Sequence, residues 1–214
     1  MSDDNDYEND INSDKEIRRN NFGPRRDLTD EELGLLHEYY AKMIPKDHTD
    51  KQLRNYTLLF TCLYTGLRIN EVLSLNIGDV VHYGRIADVL SIYESKVDRK
   101  RDIYLNDKIK KLLENYVDKK EDLKHPLFKS RGIGRLCSRQ ASNIFHKAFS
   151  GCELSGLLGC HSTRKTFSRK TFEKSTNNIF VVQKALGHKS ILTTYKYLNS
   201  TDGEVKNVVK SLEF

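Results

Sequence analysis

Residues 65–75 have the sequence TGLRINEVLSL, which places a glycine between two stretches with helical spacing. The preceding residues, 51–65, form an apolar helical pattern, and Gly66 is the residue type that commonly ends a helix. A second, short helix is expected over 68–75, with Arg68 at its start and Glu71 on the same face. An arginine there can hold an anion together with backbone N–H groups. Equally, it can be a surface arginine paired with Glu71, and Glu71 can either orient Arg68 or be an ordinary first-turn acid.

Helical spacing continues on both sides of this stretch, with one β-type interruption. Thr29 and Glu32 form a capping-box pattern before the apolar positions of 33–40. Residues 84–105 are rich in β-type side chains around a charged turn at 96–101, which indicates a small hairpin. Further helices are expected at about 107–117, 138–148, 161–174, 179–186 and 204–212. The pattern predicts a mainly α domain with a small antiparallel β-sheet, an α+β fold.

Charge divides the chain into unequal parts. Residues 1–17 contain seven acids and one lysine, a net charge of −6, whereas the whole chain has +6, so the remainder carries +12. We expect an acidic and polar disordered tail over 1–27, a folded domain over 28–200 and a C-terminal helix in 201–214. The basic domain suits a polyanion such as a nucleic acid, or its lysines simply solvate the surface.

Composition excludes several classes of protein. No run approaches the 18 or more apolar residues of a membrane span, and the acidic start does not resemble a signal peptide, so no membrane association is expected. The four cysteines form no CxxC pair. We therefore expect reduced thiols in a cytoplasmic protein, with neither a zinc site nor a disulfide framework.

Two later motifs carry side chains suited to an anion. In HSTRKTF (161–167), His161 and Arg164 lie three apart on one helical face. The arginine can hold a phosphate, and the histidine can donate a hydrogen bond or move a proton. His188 follows Gly187, which is expected to end a helix. Both histidines can equally be capping or core residues; no cysteine or carboxylate stands at ligand spacing from them, so neither metal nor cofactor is expected.

A lysine in the charged turn adds a proton donor. Lys96 begins that turn and can act as a general acid. Lys100 and Arg101 share the turn and could do the same. An ordinary solvated turn lysine is the alternative.

A late tyrosine completes the set. Tyr197 lies nine residues after His188, and Tyr195 lies two residues before Tyr197. A tyrosine hydroxyl with an ordinary pKa of about 10 becomes a nucleophile only near cations and a base or in a desolvated site. Without such neighbours, a late tyrosine is a core or surface residue.

The motifs TGLRINEVLSL, ESKVDRKRDIYL (94–105), HSTRKTF and LGHKSILTTYKYL (186–198) occur in an order found in one family. Over about 28–200 the chain resembles the catalytic domain of tyrosine recombinases, the phage-type integrase and Xer group. The resemblance implies a site-specific DNA recombinase that cleaves and rejoins DNA through a 3′-phosphotyrosyl intermediate without a cofactor. The implied roles are phosphate clamps (Arg68, Arg164), a supporting acid (Glu71), a general acid (Lys96), proton-transfer and hydrogen-bonding groups (His161, His188) and the nucleophile (Tyr197, with Tyr195 as its alternative).

The resemblance also implies partners. Double-stranded DNA is the expected substrate, with self-association into a dimer or tetramer on it, in the cytoplasm at the nucleoid. Residues 201–214 are expected to contact a neighbouring protomer or to pack on their own domain. Family members usually carry a separate helical DNA-clamping domain before the catalytic one, whereas about 27 mostly polar residues precede it here. We expect a naturally minimal recombinase, an excised domain, or a protein whose clamp is supplied by a second protein.

One departure and two alternative functions accompany this interpretation. Lys165 stands where the family commonly has a histidine. A non-catalytic DNA-binding accessory of the same fold is one alternative, which the absent clamp domain favours and the complete set of site residues opposes. A DNA-relaxing enzyme of the type IB topoisomerase kind is the other; the GLRxxE pattern together with LGH favours a recombinase.

Overall fold

The computed structural model describes residues 25–43, 50–94, 99–118, 121–130 and 134–198. Along these ranges the elements are α1 (Asp30–Met43), α2 (Asp50–Thr65), α3 (Ile69–Ser74), α4 (Ile77–Val80), β1 (Val81–His82), β2 (Arg85–Ile86), β3 (Val89–Glu94), β4 (Arg99–Tyr104), α5 (Asp107–Tyr116), α6 (Ser138–Gly151), α7 (Cys160–Lys174), α8 (Ile179–Leu186) and α9 (Ile191–Tyr197). The strands form two antiparallel pairs, β1 with β2 and β3 with β4. The predicted mainly helical α+β fold is confirmed, and the described residues contain two small antiparallel sheets where one was predicted.

The start of α1 has the predicted capping box. The Thr29 backbone N–H donates to Glu32 Oε2 at 2.9 Å, and the Glu32 N–H donates to Thr29 Oγ1 at 3.2 Å. Residues 25–27, which the sequence analysis assigned to the tail, also contact the domain: Arg26 pairs with Glu32, and Asp27 accepts a hydrogen bond from Arg169 at 2.5 Å. The folded part therefore includes at least the three residues before Leu28.

The hairpin of β3 and β4 has a shorter turn than the sequence predicted. Strands β3 and β4 pair in a register that places Ile92 opposite Arg101 and Glu94 opposite Arg99. The prediction of a turn over 96–101 is therefore wrong for its last three residues, which belong to β4. Strand pairing supplies their backbone hydrogen bonds, and the Arg101 side chain is buried against polar partners, as described below. Lys96 lies outside the described residues.

Helix α2 forms the centre of the core. All of its residues from 57 to 63 are buried, and it packs against α5 on one side and α7 on the other. The buried face of α7 is polar, which is unusual for a central helix. Its hydroxyls are satisfied locally, since Thr166 and Ser168 each donate to the carbonyl oxygen four residues earlier. Such internal pairing allows a polar helix to lie inside the domain.

Two short helices, α4 and α9, were not predicted from the sequence. Residues 199–214 fall outside the described ranges. Helix α9 contains the adjacent Thr193 and Thr194, a pair with little preference for helix. The helix expected at 204–212 falls outside the described residues. No helix within the described ranges is long and apolar enough to cross a membrane.

Candidate active site

Arg164 lies at the centre of a cluster of polar side chains inside the domain. Its side chain projects from the polar face of α7 and is only 1% exposed. Its guanidinium donates to the Gly66 carbonyl, to the Leu186 carbonyl at 2.8 Å and to His188 Nε2 at 3.1 Å. These two carbonyls lie at the C-terminal ends of α2 and α8, where helix dipoles favour a positive charge. Burial, with a contribution from nearby Arg68, lowers the Arg164 pKa to about 10, so the side chain remains cationic at neutral pH.

The glycine turns at 66 and 187 bring those carbonyls to Arg164. Gly66 adopts φ of +63° and Gly187 adopts φ of +67°, the left-handed conformation that glycine accepts without a steric penalty. Each turn follows directly on a helix and redirects the chain, as the sequence predicted. Arg68 follows one of these turns, and His188 follows the other.

His188 contacts two other polar groups. Its Nε2 atom faces Arg164, and its Nδ1 atom lies 3.0 Å from Thr194 Oγ1. Burial and the positive charges of Arg164, Arg68 and Arg101 lower the His188 pKa to about 4. The ring is therefore neutral at physiological pH.

Tyr197 approaches the cluster from the last turn of α9. Its hydroxyl oxygen lies 2.6 Å from His161 Nε2. The centre of its ring lies 5.1 Å from that of His188 and 6.0 Å from Arg164 Cζ. Partial burial and the neighbouring cations Arg164, Arg68, Lys165 and Arg25 lower the His161 pKa, which favours the neutral imidazole. A neutral histidine within hydrogen-bond reach of a hydroxyl can accept its proton.

Tyr195 occupies a different position. Its side chain is 59% exposed, whereas Tyr197 is partly buried against the two histidines. The two-residue separation on a helix turns the two side chains to different faces. The geometry therefore favours Tyr197 over Tyr195 as the reactive group.

Arg68 and Glu71 lie at the edge of the cluster. Glu71 accepts a hydrogen bond from the Arg68 backbone N–H at 2.6 Å and forms a 3.5 Å ion pair with the Arg68 guanidinium. The Arg68 side chain is 48% exposed, so it remains accessible to an anion in solvent. Glu71 also pairs with Arg101 at 3.1 Å, which means that the carboxylate serves two arginines.

Sequence reasoning missed the positions of Arg101 and Thr194. Arg101 was considered as a turn residue that could replace Lys96 as the proton donor, yet it is 6% exposed and donates to the Ala185 carbonyl at the end of α8. The available signal was strand alternation, which puts Arg101 on the same face as the buried Ile103. Thr194 is fully buried against His188, and no local pattern indicated this contact.

The structure thus brings together most of the residues that the sequence singled out. One cluster contains six of them: Arg68, Glu71, His161, Arg164, His188 and Tyr197. Tyr195 lies outside this cluster, and Lys96 falls outside the described residues. Within the described ranges, no three His, Cys, Asp or Glu side chains group closely enough to hold a metal ion. The arrangement places the Arg164 guanidinium and a neutral histidine near the Tyr197 hydroxyl, with Arg68 at the edge, a combination that suits transfer of a phosphoryl group.

Sequence comparison places the chain among known proteins. Residues 28–204 match the phage integrase family. The chain is 25% identical over 197 residues to the tyrosine recombinase XerC of Caldanaerobacter subterraneus subsp. tengcongensis, covering 87% of this chain and 54% of the relative. It is 31% identical over 163 residues to the probable integrase/recombinase YoeC of Bacillus subtilis, covering 75% of this chain and 86% of the relative. The chain therefore spans about half of the XerC protein and most of YoeC.

Solved structures share the fold. The XerH site-specific recombinase bound to difH substrate in a pre-cleavage complex superposes with a TM-score of 0.66 at 24% identity, covering 88% of this chain and 54% of that one. The XerA recombinase gives a TM-score of 0.68 at 21% identity, covering 90% of this chain and 68% of that one. Together with the match over 28–204, the fold confirms what the motifs indicated: the chain belongs to the phage integrase family, within the tyrosine recombinases.

Proposed function

We propose that this chain is the catalytic part of a site-specific DNA recombinase, acting at the nucleoid in the cytoplasm. The observation that carries the proposal is the 2.6 Å contact between the Tyr197 hydroxyl and His161 Nε2, next to the Arg164 guanidinium. The family match and the relatives' names as recombinases support it. The +12 charge beyond residue 17 supports a double-stranded DNA substrate.

In the proposed reaction the Tyr197 oxygen attacks the scissile phosphate. An O–P bond forms to the tyrosine, the bond from phosphorus to the 5′ oxygen breaks, and DNA remains attached through a 3′-phosphotyrosyl link. His161, kept neutral by its lowered pKa, accepts the tyrosine proton. Lys96 supplies a proton to the departing 5′ oxygen. The 5′-hydroxyl of a partner strand then reverses these steps, so the phosphodiester energy is retained and no ATP is needed.

The arginines stabilise charge on the phosphate. Arg164 is held in a fixed orientation by its carbonyl contacts, and the more exposed Arg68 reaches the same anion from the solvent side. Glu71 supports this arrangement by orienting Arg68. His188 accepts a hydrogen bond from Arg164 and so helps to fix the guanidinium beside the phosphate. Donors fixed before the substrate arrives lower the barrier without reorganising during the reaction.

Partners follow from what recombination requires. Exchange between two DNA duplexes needs several protomers, so we propose a dimer or tetramer on DNA, with residues 201–214 as a contact between protomers. In the sequence, the apolar residues Val205, Val208, Val209 and Leu212 have the spacing of one helical face, which suits such a contact.

The test uses nicked duplexes that tile the DNA flanking the gene of this protein. A nick beside the cleavage site lets the short 5′-hydroxyl fragment diffuse away and traps the covalent adduct, which is then seen as a slower band in a denaturing gel. We expect an adduct with the wild-type chain and none with Tyr197→Phe. Binding without an adduct would indicate a DNA-binding accessory, and sequence-independent relaxation of supercoiled plasmid would indicate a topoisomerase.

A further inference from the structure

The two ring nitrogens of His188 face groups with different hydrogen-bonding capacities. Arg164 Nη2 lies 3.1 Å from His188 Nε2. A guanidinium has N–H donors and no acceptor, so this contact is a hydrogen bond only when Nε2 carries a lone pair. The arginine partner therefore determines that Nε2 is unprotonated.

The remaining proton of the ring is then assigned to Nδ1. Because the His188 pKa is lowered to about 4, the ring is neutral at pH 7 and has one N–H group. Nδ1 lies 3.0 Å from Thr194 Oγ1, whose residue is 0% exposed. The Nδ1–H group thus donates to the threonine hydroxyl oxygen, which is the acceptor at that end of the ring.

We propose that Thr194 is a positioning residue of this site, an inference that rests on the proposed function. Its hydroxyl accepts the Nδ1–H of His188 and so selects the tautomer whose Nε2 lone pair holds Arg164. Thr194, His188 and Arg164 form a directed series of hydrogen bonds that ends at the guanidinium expected to clamp the phosphate. Removing the acceptor leaves a buried N–H without a partner, which favours the other tautomer or rotation of the ring. Either change takes the acceptor away from Arg164.

Thr194 also lies on the helix that carries the nucleophile. It precedes Tyr197 by three residues on α9, so the two side chains share a face. Helix α9 has seven residues, and several of them are β-branched or aromatic, which gives little intrinsic helical stability. The contact between Thr194 and His188 fastens this helix to the loop after α8. The same hydrogen bond therefore positions the arginine and restrains the tyrosine.

The experiment compares three variants with the wild-type chain. Thr194→Val keeps the side-chain shape and removes the acceptor, whereas Thr194→Ser keeps the hydroxyl. Thr193→Val makes the same change at the exposed neighbouring position and serves as the matched control. If Thr194→Val does not fold, Thr194→Cys replaces it, because a thiol has similar size and is a weak acceptor. Thermal unfolding by circular dichroism establishes which variants are folded.

The first measurement is the tautomer of His188 in the free protein. Ring nitrogen chemical shifts of ¹⁵N-histidine-labelled protein distinguish protonated from unprotonated Nδ1, and the spectrum of His188→Gln identifies the His188 signals. We expect Nδ1–H in the wild type, Thr194→Ser and Thr193→Val, and a shift toward Nε2–H in Thr194→Val. A purely structural role of Thr194 would not change the tautomer. An Nε2–H tautomer in the wild type, or an unchanged tautomer in folded Thr194→Val, overturns the inference.

The second measurement is the rate of adduct formation on one nicked duplex that the wild type cleaves. We expect Thr194→Val to react about tenfold more slowly, in line with the loss of one buried hydrogen bond. Thr194→Ser and Thr193→Val should react close to the wild-type rate. A wild-type rate in Thr194→Val overturns the inference. If the wild type forms no adduct on any duplex, the proposed function fails, while the tautomer still decides whether Thr194 sets the state of His188.

Discussion

The Glu71 carboxylate and the Arg101 guanidinium form a 3.1 Å ion pair inside the domain. Arg101 also donates to the Ala185 carbonyl at 3.2 Å, and Glu71 accepts from the Arg68 backbone N–H at 2.6 Å. The pair therefore connects the hairpin, the end of α8 and the start of α3. Arg68 directly precedes α3, and His188 follows α8 after Gly187, so the ion pair lies close in the chain to two residues of the proposed site.

We predict that Glu71→Gln lowers both stability and the rate of adduct formation. The substitution removes the Glu71 carboxylate from its ion pair with the buried Arg101 and weakens the support of Arg68, which should cost about 2–4 kcal/mol of unfolding free energy. Urea denaturation measures this loss. Glu173→Gln is the matched control, because its ion pair with Arg169 lies on the surface, and it should cost less than about 1 kcal/mol. Equal losses in the two variants would contradict a structural role for the buried pair.

We predict opposite effects of alanine at two glycines. Gly66 has φ of +63°, and an added Cβ would lie 2.2 Å from Phe167 Cδ1. Gly66→Ala should therefore lower the free energy of unfolding by at least about 2 kcal/mol. Gly34 lies within α1, and an added Cβ there would have no atom within 4 Å. Gly34→Ala should therefore raise the free energy of unfolding by up to about 1 kcal/mol. Urea denaturation of both variants measures the two changes. An unchanged free energy of unfolding in Gly66→Ala would contradict the close packing of the turn against α7.

We predict that His188 makes stability depend on pH below neutrality. Its pKa is about 4 in the folded protein and about 6.5 when unfolded, so the unfolded chain binds more protons between these values. The His188 contribution is fully present above pH 6.5 and is lost as the pH falls toward 4, by up to roughly 3 kcal/mol. Unfolding free energies of the wild type and His188→Gln, measured from pH 4.5 to 7.5, should converge as the pH falls. Parallel curves would argue against a buried neutral His188.

We predict that the rate of adduct formation falls in acid because His161 becomes protonated. His161 accepts the tyrosine proton when neutral, and its pKa is lowered from 6.5 by partial burial and nearby cations. The acidic limb of the single-turnover rate should therefore lie below pH 6.5. His161→Asn should slow the reaction and remove that limb. A limb above pH 6.5, or one unchanged in His161→Asn, would exclude His161 as the base.

Local sequence signals predicted the helices well where caps and periodicity agree. The capping box of Thr29 and Glu32 and the glycine ends at Gly66 and Gly187 are all present. Helix α9 was not predicted because it is short and contains adjacent threonines, and its position depends on the tertiary contact between Thr194 and His188. Such contacts leave no periodic signal.

The sequence predicted which residues belong to the site better than it predicted how they are arranged. The order of the motifs indicated Arg164, His188 and Tyr197 as site residues, and the structure places their side chains together. Arg101 was assigned to a turn because charged side chains surround it in sequence, and the Glu71 carboxylate with which it pairs is 30 residues away. The pairing of distant charges depends on the fold, so neither composition nor spacing could indicate it.

The identity of the residue joined to DNA tests the central claim most directly. Trypsin cuts after Lys189, Lys196 and Lys206, which separates the rival tyrosines into peptides 190–196, containing Tyr195, and 197–206, containing Tyr197. The trapped adduct is digested with nuclease and trypsin and analysed by tandem mass spectrometry, with fragmentation locating the nucleotide if cleavage at Lys196 is blocked. We predict a nucleotide joined through its 3′ phosphate to Tyr197. A nucleotide on Tyr195, or one joined through its 5′ phosphate, would contradict the proposed chemistry.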